Sequence, residues 1–482
     1  MPETTDTARP AGHSLEAMRR RHGEAYRWRL LATVMIGAVA AIMSATIVNV
    51  AVPDMSGHFA LTPSRAQWVS TAFMSAMTLA MLPVPWLLAR FGYRRTYIGA
   101  VLLLMAGGIG GGLAQHYPLV LAMRVAEGLA AGVMQPIPAI LVMRAFSREE
   151  QGRAMGVFGF GVVLAPAVGP SVGGVLVELF GWRSIFFVVV PFCIAALAMA
   201  QRYLPHAAPG GAAPGGRALR LDLAGLALAA AAVLALLNGL VGLHGGAPVQ
   251  ALLLLALAAV AGTAFVRHER RTPQPLLDLR VFAPRTFVMG SLVAFIYGMG
   301  LFGSTYLVPV FMQQGLGFAP SAAGAVLLLP GLVLAGTIVV AGRLADRGPL
   351  HLLVSAGLAL LALSFALMAG VGPATGLPLL MLWATVGRIG LGCVLPSLNV
   401  GALRALEPAL LSQGSSTINL LRQLGGAIGI SLVGIVLEWR LAAHADDRVL
   451  AAFGETFWLL ALVTASAILA AWRMRPAATR GD

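Results

Sequence analysis

The chain has no lysine. All 33 of its basic residues are arginine, set against 19 acidic residues, and charged residues make up only 11% of 482. A soluble domain of this length needs a charged surface, so that class is excluded. Without lysine no GxxxxGK[ST] loop exists, which excludes ATP-driven chemistry within the chain. There are two cysteines, Cys193 and Cys393, both inside apolar runs. They read as small core residues, not as a disulfide or a metal pair. No His/Cys/Asp/Glu spacing marks a metal site and no catalytic constellation appears. The chain therefore reads as a non-enzyme without cofactor or metal.

What the chain has is apolar sequence, 58% of its residues. Runs of about 20 residues recur along it, and each is long enough for a helix to cross the roughly 30 Å hydrocarbon core. Backbone in lipid must satisfy its own hydrogen bonds, which leaves helices or closed barrels, and these runs are too long for barrel strands. Fourteen spans are predicted, at 29–52, 66–88, 97–115, 119–143, 154–177, 185–201, 222–243, 250–266, 286–311, 321–341, 351–370, 377–403, 417–437 and 452–472. The first run is too long for a signal-peptide core, so it is expected to remain as the first span.

The net charge of +14 is topological rather than a nucleic-acid footprint. With the N-terminus inside, 26 arginines fall on the inner side, four on the outer side, and Arg124, Arg388 and Arg422 within spans. That bias places both termini in the cytoplasm. The two longest loops are also inside. The first is "YLPHAAPGGAAPGGRALR" (203–220), a flexible linker by composition. The second is "RHERRTPQPLLDLRVFAPR" (267–285), basic and expected on the membrane surface.

An internal repeat is present. "PWLLARFG" (85–92) pairs with "GRLADRG" (342–348) at an offset of 257, and Arg124 pairs with Arg388 at 264. The glycines of "VGPSVGG" (168–174) pair with those of "QLGGAIG" (423–429). Each offset spans eight predicted helices, as expected for six helices, two inserted, and six again. The expected organisation is an N-tail (1–28), a six-helix unit (29–201), a linker with two extra helices (202–285), a second six-helix unit (286–473) and a C-tail (474–482). Repeated halves are the sequence mark of a secondary transporter.

Seven motifs in order carry a resemblance. They are "TIVNVAVP" (46–53), "QWVSTAFM" (67–74), "RVAEG" (124–128), "APAVGPSVGG" (165–174), "FGWRSIFFVVVP" (180–191), "GRLADRG" and "SSTINLLRQLGGAIG" (415–429). Together the chain resembles the fourteen-helix drug–proton antiporters of the major facilitator superfamily, the EmrB/QacA-like branch. The resemblance implies an all-α polytopic fold of two six-helix units plus two inserted helices. It implies proton-coupled efflux of amphipathic drug-like compounds by alternating access, powered by the proton gradient, from the bacterial inner membrane. The lipid bilayer and a small-molecule substrate are the implied partners, nucleic acid is not, and a periplasmic adaptor with an outer-membrane channel stays open. The oligomeric state is not specified. Two alternatives remain beside it: a dedicated exporter of one metabolite or antibiotic, and a membrane sensor or scaffold that transports nothing.

The motif residues take physical roles. Gly161, Ala165, Gly169 and Gly173, with Gly174 beside them, give span 5 a smooth face for close helix approach, and Pro170 loosens it. Simple packing explains part of this, and the resemblance adds a gating role. Arg124, Glu127 and Gln135 fall on one face of span 4, with Gln135 about 20° from Arg124 around a helix. A local ion pair is the plain reading, and a protonatable Glu127 tuned by Arg124 is the functional one. The family usually has Gln where Glu127 stands, and Asp where Ser44 stands, so proton coupling moves to span 4. Ser44, Thr46 and Asn49 in span 1 are cavity candidates, with Gln135 in span 4, Tyr297, Tyr306, Gln313 and Gln314 in span 9 and Asn419 in span 13. Arg422 is expected to snorkel to the inner surface. Arg90, Arg343, Asp346 and Arg347 are the candidate cytoplasmic gate. In the first copy of that motif Ala89 replaces the family's Asp.

Overall fold

The computed structural model describes residues 15–207, 220–244, 248–318, 320–372, 375–443 and 449–475. The fold is all-helical. A short α1 (Leu15–His22) precedes α2 (Tyr26–Phe59), α3 (Pro63–Ala80), α4 (Val84–Gly112), α5 (Tyr117–Met134) and α6 (Ile137–Ala145). Then come α7 (Gln151–Phe180), α8 (Ser184–Phe187) and α9 (Val189–Tyr203). A hairpin of α10 (Leu223–His244) and α11 (Pro248–Glu269) follows. The chain ends with α12 (Arg285–Val310), α13 (Pro320–Arg347), α14 (Leu350–Ala369), α15 (Leu377–Leu403), α16 (Leu411–Ala443) and α17 (Val449–Trp472).

Among the described residues, 11 helices are long and apolar enough to cross a membrane, or up to 12 if the bent pair α3 and α4 is one span. That count stands below the fourteen expected, and α4 shows part of the reason. It contains Gly92 at φ 75°, ψ 174°, where the helical path is interrupted. An L side chain is strained at that φ, and a Cβ there would also strike the His206 carbonyl oxygen, so glycine is needed twice over. The next residue, Tyr93, donates its N–H to Ala207 at 3.2 Å. Similarly, α5 and α6 form one run, Tyr117–Ala145, interrupted at Gln135–Pro136, where proline removes a backbone donor.

The helices pack in two groups. In the first, α3 and α4 pack on α5, and α2 packs on α7 and α9. In the second, α12 packs on α16, and α14 and α13 pack on α15, with α17 against α14 and α12. The α10–α11 hairpin lies against α3 and α16, where Leu82, Ala229, Leu276 and Leu420 form a small core of their own. Both ends of the described chain lie on one face. Tyr26 donates to Tyr203 O at 2.8 Å, and Met474 packs by Gly290 and Gly401. We call this the terminal face.

Two tail and loop readings change. Part of the N-tail is helical as α1, and His22 stacks on Tyr26 with ring centroids 6.0 Å apart. The basic loop after α11 folds onto the bundle: Leu277 N–H donates to Glu269 at 2.9 Å, and Leu276 and Val281 are buried. In it a hydrogen bond from Arg280 holds the Asp278 carboxyl below its ordinary range. Most of the 203–220 linker, residues 208–219, lies outside the described residues, as does the end of the C-tail from 476. Cys193 and Cys393 are both free.

Candidate functional site

One buried polar cluster, one part-buried polar cluster and one seal at the terminal face make up the candidate site. The first cluster is on α5. Arg124 and Glu127 are each 1% exposed. Arg124 Nη1 donates to Glu127 Oε2 at 2.7 Å, to Ser44 Oγ at 3.0 Å and to Ser44 O at 3.2 Å. Its Nε donates to Val69 O at 3.2 Å, and its guanidinium lies 4.3 Å from the Phe73 ring centroid. The Ser44 hydroxyl also hydrogen-bonds Glu127. The carboxylate sits in a notch cut by Gly107 and Gly108 of α4, since a Cβ at Gly107 would lie 2.6 Å from Glu127 Cγ. The run "GGIGGG" (107–112) was the available signal for that notch. Thus α2, α3, α4 and α5 all meet one ion pair, and a change in charge there is felt by four helices.

Gln135 is not part of this cluster. Eleven residues of helix carry it about 16 Å along the axis, so a shared face does not make a shared site. It belongs to the second cluster, between the two groups. Arg422 of α16 donates to Asn419 Oδ1 at 2.7 Å and reaches Gln135 Oε1 at 3.4 Å. Ser415 donates to Pro136 O at 2.9 Å nearby. The snorkelling expected of Arg422 is therefore overturned: an acceptor on the other group draws the side chain into the interface. Tyr297 is buried, donates to Leu391 O at 3.3 Å, and lies within electrostatic reach of both Arg422 and Arg388. Arg388 lines a cavity of about 20 Å³, room for one water, with Ser304 and Ser364. A central arginine costs about 2.5–3.5 kcal/mol on insertion scales, which makes both residues candidates for function.

The remaining cavity candidates separate. Thr46 donates to carbonyls of its own helix, Ile42 at 3.1 Å and Met43 at 3.3 Å, and faces Gly169. Asn49 is exposed and accepts from Ser70 at 2.7 Å. Tyr306 is 40% exposed and lies nine residues, about 13 Å, along α12 from Tyr297, so those two tyrosines do not share a site. Gln313 and Gln314 are exposed in a π-helical turn, Phe311–Gly315, after Pro309. On α7, Cβ atoms at Gly161 and Gly173 would press Met35 and Ile47 of α2, and Ala165 is buried, whereas Gly174 faces open space. The side chain of Pro170 lies outside the described residues.

The seal is built from the other end of α7. Asp346 accepts from the backbone N–H of Gly152 at 2.6 Å and of Arg153 at 2.8 Å. A carboxylate from the second group thus caps a helix of the first, where unpaired amides favour negative charge. Gly152 and Gly342 meet backbone to backbone. Arg343 and Arg347 are exposed, Arg90 lies over the rings of Trp86 and Phe91 at 5.7 and 5.6 Å, and Asp346 is the expected gate residue whose hydrogen bonds, among the described residues, join the groups. Sequence reading missed two stronger participants. Arg404, just after α15, donates to Gln151 Oε1 at 2.9 Å and to Arg148 O. Arg144 of α6 donates to Pro408 O at 2.5 Å. The repeated "RAF" (144–146) and "RAL" (404–406) were the signal. Among the described residues, the hydrogen bonds joining the two groups lie in the terminal half of the bundle.

A helical bundle of two packed groups, with charged residues buried at mid-depth and a seal at one face, is the architecture of a membrane transporter. The chain belongs to the Major Facilitator Superfamily, whose profile matches residues 34–430 and 291–482. It is 29% identical over 423 residues to the "Multidrug resistance protein B homolog" of Mycobacterium tuberculosis, covering 86% of this chain and 76% of that one. It is 28% identical over 426 residues to the lincomycin resistance protein LmrB of Listeria innocua, covering 86% and 88%. The fold is similar to that of the human organic anion transporter TETRAN, with TM-score 0.67, 17% identity and coverage of 92% and 99%.

Proposed function

We propose that the chain is a proton-coupled exporter of amphipathic drug-like compounds, of the fourteen-helix drug–proton antiporter branch, working by alternating access. The observation that carries this reading is the Arg124–Glu127–Ser44 cluster. Among the described residues, Glu127 is the one carboxylate more than two turns from either end of its span. Protonating Glu127 removes the charge that Arg124 is paired with, and this loosens α5 from Ser44 of α2. A proton thereby changes how helices of one group pack, which is what coupling requires.

The multidrug-resistance relatives support the drug-efflux part. The interruption at Gly92, which divides α4, and the 30-residue α7 support two further crossings beyond the counted helices. In this reading the arginine-rich terminal face is cytoplasmic, and the chain is sealed there and faces outward. The α10–α11 hairpin is the inserted pair.

The test is flux in proteoliposomes under an imposed pH gradient. The wild type exchanges substrate for protons, and Glu127→Gln reduces pH-driven exchange at least tenfold while counterflow without a gradient persists. Unchanged pH-driven exchange in Glu127→Gln would remove Glu127 from the coupling. Expression in an efflux-deficient host gives the substrate range, and a host no more resistant to any compound would count against drug efflux.

A further inference from the structure

The charges at mid-depth do not balance. The repeat places Arg124 opposite Arg388 at an offset of 264, and the same offset places Glu127 opposite Leu391. The first arginine therefore has a carboxylate one turn away and the second has a leucine. Arg388 has no ion pair and no hydrogen bond among the described residues. It is partly exposed and lines the small cavity beside α14. Among the described residues, Arg422 has as hydrogen-bond partners the neutral amide oxygens of Asn419 and Gln135, both reached through one terminal nitrogen, Nη2. It too is partly exposed, whereas Arg124 is 1% exposed.

Depth brings these groups together. Counted from the terminal face at 1.5 Å per residue, Arg422 lies about 16 Å in along α16, Tyr297 about 18 Å along α12 and Arg388 about 22 Å along α15. Gln135, at the interruption between α5 and α6, lies about 15 Å in and presents the other group to the same level. Arg422 is thus an interface residue at the middle of the membrane, and among the described residues its hydrogen bonds use Nη2 alone. A guanidinium with no opposing charge beside it attracts a carboxylate, sulfonate or phosphate group through charge-assisted hydrogen bonds.

We propose that this level is an anion site: the negatively charged group of the transported molecule docks on Arg422, with Arg388 adding positive potential behind it, and supplies the counter-charge the protein lacks there. The substrate class is an amphipathic organic anion. The same arrangement repels an organic cation, since among the described residues no unpaired carboxylate lies at this depth to receive it. This rests on the transporter reading above and narrows its substrates.

The experiment uses two xanthene dyes of similar shape and opposite charge, fluorescein and rhodamine 6G. Binding is read by fluorescence polarisation at pH 8 on the full chain in nanodiscs of zwitterionic lipid. Fluorescein is expected to bind at least tenfold more tightly than rhodamine 6G. Arg422→Gln is expected to lower fluorescein affinity at least tenfold, and Arg422→Lys to retain most of it, which separates charge from folding. Rhodamine 6G binding as tightly as fluorescein, a ratio unchanged in Arg422→Gln, or binding of neither dye overturns the proposal. Flux of the same dyes in proteoliposomes separates the two readings. Fluorescein bound but not moved leaves the anion site and removes transport. Rhodamine 6G moved without fluorescein leaves transport and removes the anion site.

Discussion

Ser44 shows how a single side chain can look like a loss and be a partner. The hydroxyl cannot titrate, yet it touches both members of the Arg124–Glu127 pair. That pair is buried, so breaking it from one side is worse than losing it whole: Arg124→Ala should destabilise the protein by about 3–5 kcal/mol, because Glu127 is left charged and unpartnered. Arg124→Ala combined with Glu127→Ala should cost clearly less than the sum of the single changes, measured by thermal unfolding in detergent. Additivity of the two would mean that the pair carries no coupling. The Arg124–Glu127 contact was legible in the sequence because i and i+3 on one helix must meet. The role of Arg422 was not. Whether a long side chain runs to the surface or into an interface depends on the acceptor opposite it, and Gln135 lies 287 residues away in the chain.

At the scale of elements, the first ends of α7 and α16 matter most. Asp346 accepts two amides at the start of α7, so Asp346→Ala should weaken the seal by about 0.5–2 kcal/mol, the worth of a helix cap. Spin labels on the two groups near the terminal face, read by pulsed dipolar spectroscopy, should then show a larger share of separated distances. An unchanged distribution would assign the seal to Arg144 and Arg404 instead. The helices themselves were readable from apolar run length. Their interruptions were less so: the run 66–88 continues past Ala80 only after a break at Met81–Pro83, and Gly92 divides α4 by a backbone conformation that no hydropathy pattern records.

Among the described residues the molecule as a whole carries more positive than negative charge at mid-depth, and under the anion-site proposal this bears on the energetics of exchange. Export of an anion against entry of one proton carries positive charge inward, one equivalent for the proton and one for each negative charge exported, so the fluorescein dianion moves three. Each is worth about 2.3 kcal/mol per 100 mV of membrane potential. A potassium-diffusion potential set with valinomycin, negative on the cytoplasmic side, should therefore speed fluorescein export at fixed pH gradient. Indifference to potential would mean that charge is balanced in each cycle. The two-group plan was visible in the internal repeat, because matched motifs at nearly equal offsets need only sequence. Which faces of the groups touch was not, since that depends on contacts between side chains hundreds of residues apart, such as Arg422 and Gln135.

The seal has one more property. Arg144 grips the carbonyl of Pro408, Arg404 grips that of Arg148, and Asp346 grips the amides of Gly152 and Arg153. Apart from the Arg404–Gln151 side-chain bond, the charged side chain in each case holds main chain, and main chain is common to every residue type. The latch therefore tolerates evolutionary drift on its receiving side at 148, 153 and 408, while its three gripping residues have no freedom to change. Variation among close relatives should be lopsided in that way, a bias that a latch of paired side chains would not leave behind.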